Sequence, residues 1–380
     1  MRAKHLIIAS LLALASGGAA AQEAETVRGI VVAEHDSAWY AGQVAAWERE
    51  VRRHPGSEPA WRNLFRAARY LDERYDPAGQ RMAGILARMK RKIPDSFTWH
   101  LCRYESWLAP EEREADLARC LELQPDNVEA FDNYLCHFWM KGDFERAYAY
   151  GRRYFESGCY SPALLQYSWN QLAGLPEGAI FVGNGDAELI PKIVLQGGKD
   201  VHRDKVVVPL SFLCLPEYVA ALCGQLGVPV PQVSGSLSWN DRADAVVEHL
   251  IRTSGRPVYF APSIGAERLR AFSQNLYSEG LVLRYSAVPY DNMAVMKRNV
   301  EQRYLLDGLR MSFVPQREWS AAAMMQLNYV VALQPLLRFY RESGDVAREA
   351  WLTGLLGSAI DGAACDEARK APYRELLERK

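Results

Sequence analysis

Apolar residues recur at intervals of three and four through the first half of the chain, which is the spacing of amphipathic helices. A typical set consists of Trp61, Leu64, Phe65 and Ala68. Three prolines interrupt the pattern, at Pro55, Pro94 and Pro125. They lie roughly 30 to 40 residues apart, which is close to the period of helical-hairpin repeats. We therefore predict a helical-repeat domain over residues 22–175.

From about residue 176 the pattern changes to short apolar segments that alternate with helical stretches. The predicted strands cover residues 179–182, 205–210, 256–261 and 280–286. The predicted helices cover residues 190–196, 216–226, 244–253 and 266–277. Short apolar strands that alternate with helices are typical of a parallel sheet with helices on its faces. We predict a small α/β domain over residues 176–290 and a C-terminal helical region over 291–380. The fold class is thus α and α/β.

One helical unit carries a recognisable motif. It begins at residues 120–126 (CLELQPD), includes Ala130 and Leu135, and continues through residues 141–147 (KGDFERA). The proline ends one helix, small alanines permit close helix contact, and the Gly-Asp turn reverses the chain. This unit resembles a tetratricopeptide repeat. The segments that begin at Trp61 and Trp99 look like degenerate copies, and residues 344–350 (GDVAREA) repeat the turn. The resemblance implies a concave surface for a protein partner.

Four pieces of the predicted α/β domain carry a second resemblance. They are residues 179–186 with Pro191 and Gln196, residues 208–213 with Tyr218, residues 257–261, and residues 279–281 with Val288 and Pro289. In this order they resemble the soluble C-terminal region of a bacterial membrane-protein family similar to protein O-mannosyltransferases. The resemblance implies a soluble domain that works at the cell envelope.

Two departures from that family limit what the resemblance implies. The family's glycosyltransferase machinery lies in a membrane part with several spans, and this sequence has no such part. The soluble part of that family also carries a second acidic residue followed by a hydroxyl residue, whereas in this sequence Glu188 is followed by Leu189. The transferase activity is therefore not carried over.

The N-terminus has the pattern of a secretory signal peptide. Residues 1–5 carry positive charge, residues 6–15 are apolar, and Ala19-x-Ala21 before Gln22 is a cleavage signal. No cysteine follows that could take a lipid, and no later segment reaches about 18 apolar residues. We predict a cleaved signal peptide over residues 1–21 and a periplasmic or secreted mature chain without a membrane span.

Composition excludes several classes of partner and cofactor. The 380 residues are 49% hydrophobic and 24% charged, with a formal net charge of −1 and no long run of one sign. A nucleic-acid partner would favour a basic surface, so none is expected. The seven cysteines include no CxxC pair, which argues against a zinc knuckle, and no metal or cofactor is predicted. Their odd number leaves both buried thiols and disulfides open.

Candidate ligand residues lie where the predicted strands end, because open parallel sheets bind ligands beyond the carboxyl ends of their strands. They are Asn184, Asp186, Glu188, Ser211, Ser263 and Arg284. The first three place two carboxylates and an amide within five residues, which could bind a cation or a sugar hydroxyl. Turn formation and helix capping by Asp186 explain the same residues. Neither serine lies in a GxSxG motif, and Arg284 could bind an anion.

Two functions remain after these observations. The first is an exported binding or scaffolding protein of the cell envelope, with a protein partner on the helical repeats and a sugar or other small polar ligand on the α/β domain. The alternative is an enzyme acting on glycans or glycoconjugates, with Asp186 and Glu188 as its acid and base. Carboxylates two residues apart on one loop are poorly placed to flank a scissile bond. That spacing favours the binding protein, and no catalytic residue is assigned.

Overall fold

The computed structural model describes residues 22–310 and 320–378. The predicted signal peptide over residues 1–21 lies outside this part of the chain. The described residues form two compact units, the first from residues 22–28 and 35–108 and the second from residues 29–34 and 109–378. The predicted domain limits after residues 175 and 290 stay predictions.

The first unit is helical. Its helices are α1 (Ser37–Arg53), α2 (Glu58–Arg74), α3 (Arg81–Lys92) and α4 (Phe97–Ser106). Asp36, Ser57 and Ser96 begin α1, α2 and α4, and each side chain accepts a hydrogen bond from a backbone N–H three residues later. The core contains Trp61 and Phe65, which belong to the predicted amphipathic pattern. The predicted helices of this segment are therefore confirmed.

The second unit begins with four more helices that lead into the sheet. They are α5 (Arg113–Leu123), α6 (Phe131–Met140), α7 (Phe144–Glu156) and α8 (Pro162–Gly174). Asp143, in the predicted Gly-Asp turn, caps α7 by accepting a hydrogen bond from the Arg146 N–H. The helices α6 and α7 pack against each other as a hairpin. The helical hairpin predicted around this turn is confirmed.

The sheet has five strands in the order β2-β1-β3-β5-β4. The strands are β1 (Ile180–Gly183), β2 (Val206–Pro209), β3 (Val258–Phe260), β4 (Leu276–Ser278) and β5 (Leu283–Tyr285). The helices among them are α9 (Asp186–Lys199), α10 (Pro216–Leu226) and α11 (Trp239–Thr253). Both β2 and β3 run parallel to β1, with Phe181 opposite Val207 and Tyr259. The predicted parallel α/β core is confirmed for these three strands.

The other half of the sheet corrects the sequence prediction. The strand β5 pairs antiparallel with β3, and β4 pairs antiparallel with β5. The helix predicted over residues 266–277 is replaced by turns, a short 3-10 helix over Ser273–Asn275, and β4. The apolar residues Leu269 and Phe272 are buried as a helical spacing predicts. Pairing of Leu276–Ser278 with β5 takes the end of the segment into the sheet, so tertiary contacts overrode the local pattern.

Helices complete the second unit after the sheet. They are α12 (Asn292–Arg298), α13 (Asp307–Arg310), α14 (Ser320–Glu342), α15 (Val346–Gly362) and α16 (Glu367–Glu378). Asp345 caps α15 through the Arg348 N–H, as Asp143 caps α7. The predicted C-terminal helical hairpin is confirmed. Among the described helices, none has the length and apolar content needed to cross a membrane.

All seven cysteines lie in the described residues, and all are free thiols. Cys102, Cys120 and Cys223 are buried, whereas Cys159 is exposed. Buried thiols that pack as small hydrophobic residues therefore account for three of the seven.

Candidate functional site

The turn from β1 into α9 sets the geometry of the candidate site. A side chain at Gly183 would place its Cβ 2.6 Å from Leu189 Cδ2, so any larger residue here requires the Leu189 side chain to shift. Gly185 has a φ of +84°, a conformation that favours glycine. The helix therefore begins immediately after the strand, with Asp186 as its first residue and Glu188 as its third.

Glu188 is buried, with only 1% of its surface exposed. Its Oε1 accepts a hydrogen bond from Gln171 Nε2 at 2.9 Å. Its Oε2 accepts one from Ser263 Oγ at 2.6 Å, and the backbone N–H of Asn184 lies 3.5 Å from the same oxygen. The N-terminal turn of α9 also favours a negative charge at this position. Two of the predicted ligand residues, Glu188 and Ser263, are thus in direct contact.

Lys192 extends this cluster one helical turn into the protein. Its fully buried Nζ donates to Gln171 Oε1 at 2.5 Å and to the backbone oxygen of Glu188 at 2.8 Å. The same nitrogen lies 4.6 Å from the centre of the Phe181 ring. Burial lowers the pKa of Lys192 to about 8, although the charge of Glu188 acts in the opposite direction. The ammonium of Lys192, the carboxylate of Glu188 and the amide of Gln171 are therefore held together in the protein interior.

Sequence reasoning missed Gln171 and Lys192. The lysine interrupts an otherwise apolar helical run, residues 189–195, and this interruption is a local signal for a buried charge. Gln171 lies on α8, remote in sequence from the strand ends, and gives no such signal. Its amide also donates to the backbone oxygen of Leu281 at 3.0 Å. Only the fold brings these elements together.

The surface above Glu188 is formed by exposed residues of two strand ends. Ser263 follows β3 in a turn that the Ile264 N–H closes onto the Ala261 oxygen at 3.1 Å, and Ser263 is exposed. Asn184 and Asp186 are exposed beside β1. Partial desolvation raises the pKa of the Asp186 carboxyl. Asp186 does not cap the helix as the alternative interpretation predicted, because Gly185 is the capping position.

Ser211 and Arg284 take no part in the cluster around Glu188. Ser211 is exposed in the short 3-10 helix Leu210–Cys214 that follows β2. Arg284 lies on β5, and because β5 is antiparallel its carboxyl end is at the opposite edge of the sheet. The prediction that Arg284 lies at the same edge of the sheet as the other candidate residues was therefore wrong. The Arg284 guanidinium lies 3.7 Å from Glu279 and 4.8 Å from the centre of the Tyr290 ring.

Glu279 is a second buried carboxylate that sequence reasoning did not select as a site. It is 1% exposed, and it accepts hydrogen bonds from Tyr259 Oη at 3.0 Å and Tyr290 Oη at 2.5 Å. Burial, followed by contact with Glu279, raises the pKa of the Tyr290 hydroxyl. Arg284 is the cation of this cluster, which ties the antiparallel hairpin to the loop after it.

The chemistry available at the edge above Glu188 is that of hydrogen bonding. The Ser263 hydroxyl donates inward, so its oxygen lone pairs remain available to a ligand. Both oxygens of Glu188 already accept hydrogen bonds. In residues 22–310 and 320–378, no group of three or more His, Cys, Asp or Glu residues is arranged to hold a metal ion.

Comparison of the chain with known proteins gives no match to a family model, to a curated protein or to a solved structure. The two family resemblances of the sequence stay predictions.

Proposed function

We propose that this chain is a non-catalytic binding protein that holds a small polar ligand, such as a sugar, at the carboxyl ends of β1 and β3. One observation carries the proposal. Ser263, an exposed residue, donates a hydrogen bond of 2.6 Å from its hydroxyl to the buried carboxylate of Glu188. Asn184 and Asp186, both exposed at the same edge, would supply further hydrogen bonds.

The energetic cost of this cluster supports a role beyond folding. Burying a carboxylate and an ammonium costs several kcal/mol per ion, and apolar residues of similar size are often as stable. Glu188 and Lys192 are nevertheless buried together beneath an exposed hydroxyl. Ionisable groups in such an environment are concentrated at functional sites. Recognition of a ligand would explain why Glu188 is retained to orient the Ser263 hydroxyl.

The enzyme acting on glycans is the weaker alternative. Glycosidases place two carboxylates on either side of the scissile bond. Here Glu188 is buried, with both oxygens occupied by Gln171 and Ser263, so it is not available to a substrate. Asp186 is exposed at this edge, but it lies two residues before Glu188 on the same helix. This spacing does not provide the opposed pair.

The setting of this binding protein is proposed from the sequence. The signal-peptide pattern of residues 1–21 supports export to the cell envelope. The Gly-Asp turns before α7 and α15 support helical hairpins of one type, which would present a surface to a protein partner. The ligand site and the helical surface would then belong to one scaffolding protein.

The ligand site is tested by NMR on 15N-labelled mature chain, residues 22–380. D-glucose, D-glucosamine and methyl α-D-mannopyranoside are titrated separately into the wild type and into Ser263→Ala. The matched control is Ser273→Ala, because Ser273 is also exposed and its hydroxyl donates only to the Arg270 backbone oxygen. We expect saturable shifts of the amides of residues 183–188 and 263 in the wild type and the control.

Loss of those shifts in Ser263→Ala, with the fold intact, is the expected result. Equal shifts in Ser263→Ala, or no shift with any of the three sugars, would reject the proposed site. New anomeric signals during a long incubation of the methyl glycoside with the wild type would instead favour the enzyme.

A further inference from the structure

We infer that the ligand atom that contacts Ser263 is a hydrogen-bond donor, a hydroxyl or an ammonium, and that Glu188 is the positioning residue that imposes this preference. This inference rests on the proposed function and specifies its ligand class. It excludes ligands that would present only acceptor oxygens, such as sulfate or a carboxylate.

The hydrogen bond between Ser263 and Glu188 has a defined direction. An ionised carboxylate only accepts hydrogen bonds, and Ser263 has a single hydroxyl proton. At an Oγ–Oε2 distance of 2.6 Å that proton is committed to Glu188. The exposed side of Ser263 Oγ then carries lone pairs alone. A ligand atom in contact with it must supply the proton.

The side chains of Gln171 and Lys192, which lie behind Glu188, have a defined orientation as well. Protonated Lys192 has no lone pair, so the Gln171 atom 2.5 Å from Nζ must be the amide oxygen. The amide nitrogen of Gln171 consequently faces Glu188 and the Leu281 backbone oxygen. The flip of this amide is thus determined by its partners. Lys192 therefore donates to Gln171, and Gln171 in turn donates to Glu188.

Two carboxylates, Glu188 and Asp186, set the charge around Ser263. Glu188 lies directly behind Ser263, and Asp186 is an exposed carboxylate at the same edge. Within residues 22–310 and 320–378, burial is the cause that raises the pKa of the Asp186 carboxyl, with no contribution from an ion pair or a hydrogen bond. These two carboxylates therefore favour neutral or cationic donors over anions at Ser263, although the N-terminal turn of α9 acts in the opposite direction.

This arrangement makes a sharp prediction for Glu188→Gln, which keeps the shape of the side chain. Gln171 donates at the position of Oε1, so the new amide must place its oxygen there and its nitrogen toward Ser263. The nitrogen then donates to Ser263 Oγ, and the hydroxyl proton turns outward. The same serine becomes a donor, so its ligand preference should invert.

The experiment compares methylammonium, which has hydrogen-bond donors only, with inorganic sulfate, which has acceptors only. Binding is followed at pH 6.5 through the amides of residues 183–188 and 263. In the wild type we expect methylammonium to bind and sulfate to cause no saturable shift. In Glu188→Gln we expect methylammonium to bind about tenfold more weakly, as for one lost hydrogen bond, and sulfate to bind. D-glucose, whose hydroxyls both donate and accept, should bind to both proteins.

General destabilisation cannot invert the preference. The double variant Ser263→Ala/Glu188→Gln removes the same charge together with the hydroxyl, so inversion in Glu188→Gln but not in the double variant assigns the effect to the hydroxyl. In Ser263→Ala both preferences should disappear, because the hydroxyl itself is gone. Sulfate binding at these amides in the wild type overturns the inference, and this arm needs no variant if Glu188→Gln fails to fold. Donor binding with an unchanged preference in folded Glu188→Gln also overturns it, while the proposed site survives. If neither probe perturbs these amides in any variant, the proposed site fails, and the inference fails with it.

Discussion

Replacing the buried lysine of the cluster with methionine should change how the stability of the second unit depends on pH. Lys192 is fully buried, and its pKa in the folded protein is about 8, compared with 10.5 for an ordinary lysine. Between these two values the unfolded chain binds a proton that the folded chain has released. The free energy of unfolding therefore rises with pH through this interval. The contribution is fully present above pH 10.5 and is lost as the pH falls through about 8.

The magnitude follows from the size of the pKa difference. Each pKa unit corresponds to about 1.4 kcal/mol, so the interval corresponds to about 3 kcal/mol. Solvent does not screen the charge of Lys192, because this side chain is fully buried. Lys192→Met removes this titration and should leave a flatter dependence of unfolding free energy on pH. The absolute stability of the variant depends also on the isolated Glu188 charge, so the pH slope is the quantity to compare.

The assay is urea unfolding between pH 7 and pH 10, followed by the native methyl NMR signal of Ile193. This residue is buried in the same helix and reports on the unit that contains Lys192. Lys199→Met is the matched control, since Lys199 is exposed in the last turn of that helix. Tyrosine and cysteine ionisation affects all three proteins alike and cancels in the differences. Identical pH slopes for the wild type and Lys192→Met would refute the reasoning.

Two further predictions concern stability. Burial raises the pKa of Glu105, but the charge and hydrogen bonds of Arg62 outweigh burial and hold the pKa at about 2. Glu105→Gln should therefore remove a stabilisation of about 3 kcal/mol that is present above pH 4.5 and is lost as the pH falls toward 2. Acid titration of unfolding in both proteins measures this difference. Equal acid sensitivity of both proteins would contradict this. Gly183→Ala should destabilise by about 1–3 kcal/mol, because its Cβ would meet Leu189 at 2.6 Å. The control Gly224→Ala, exposed in α10 with open space at its Cβ, should instead stabilise by about 0.5–1 kcal/mol in thermal unfolding; a stabilising Gly183→Ala would contradict the close approach.

The candidate site was only partly predictable from the sequence. Strand ends that carry Asp186, Glu188 and Ser263 were recognisable, because parallel strands bring their carboxyl ends to one edge. The contact between Glu188 and Ser263, 75 residues apart, was not, since it depends on β3 lying next to β1. The different fates of two carboxylates two residues apart were equally hidden. Helix residues two positions apart point in nearly opposite directions, which directs Glu188 inward and leaves Asp186 at the surface.

The sequence by itself determined the helical segments, the Gly-Asp turns and the three apolar strands, because helix caps, turns and apolar runs are properties of neighbouring residues. Tertiary structure alone decided the direction of β5 and the replacement of a predicted helix by β4, since both depend on pairing between segments. It also decided the burial of Lys192 beside Gln171, a residue of another helix. Burial and hydrogen-bond partners of charged groups are set by distant residues, so local sequence patterns do not encode them.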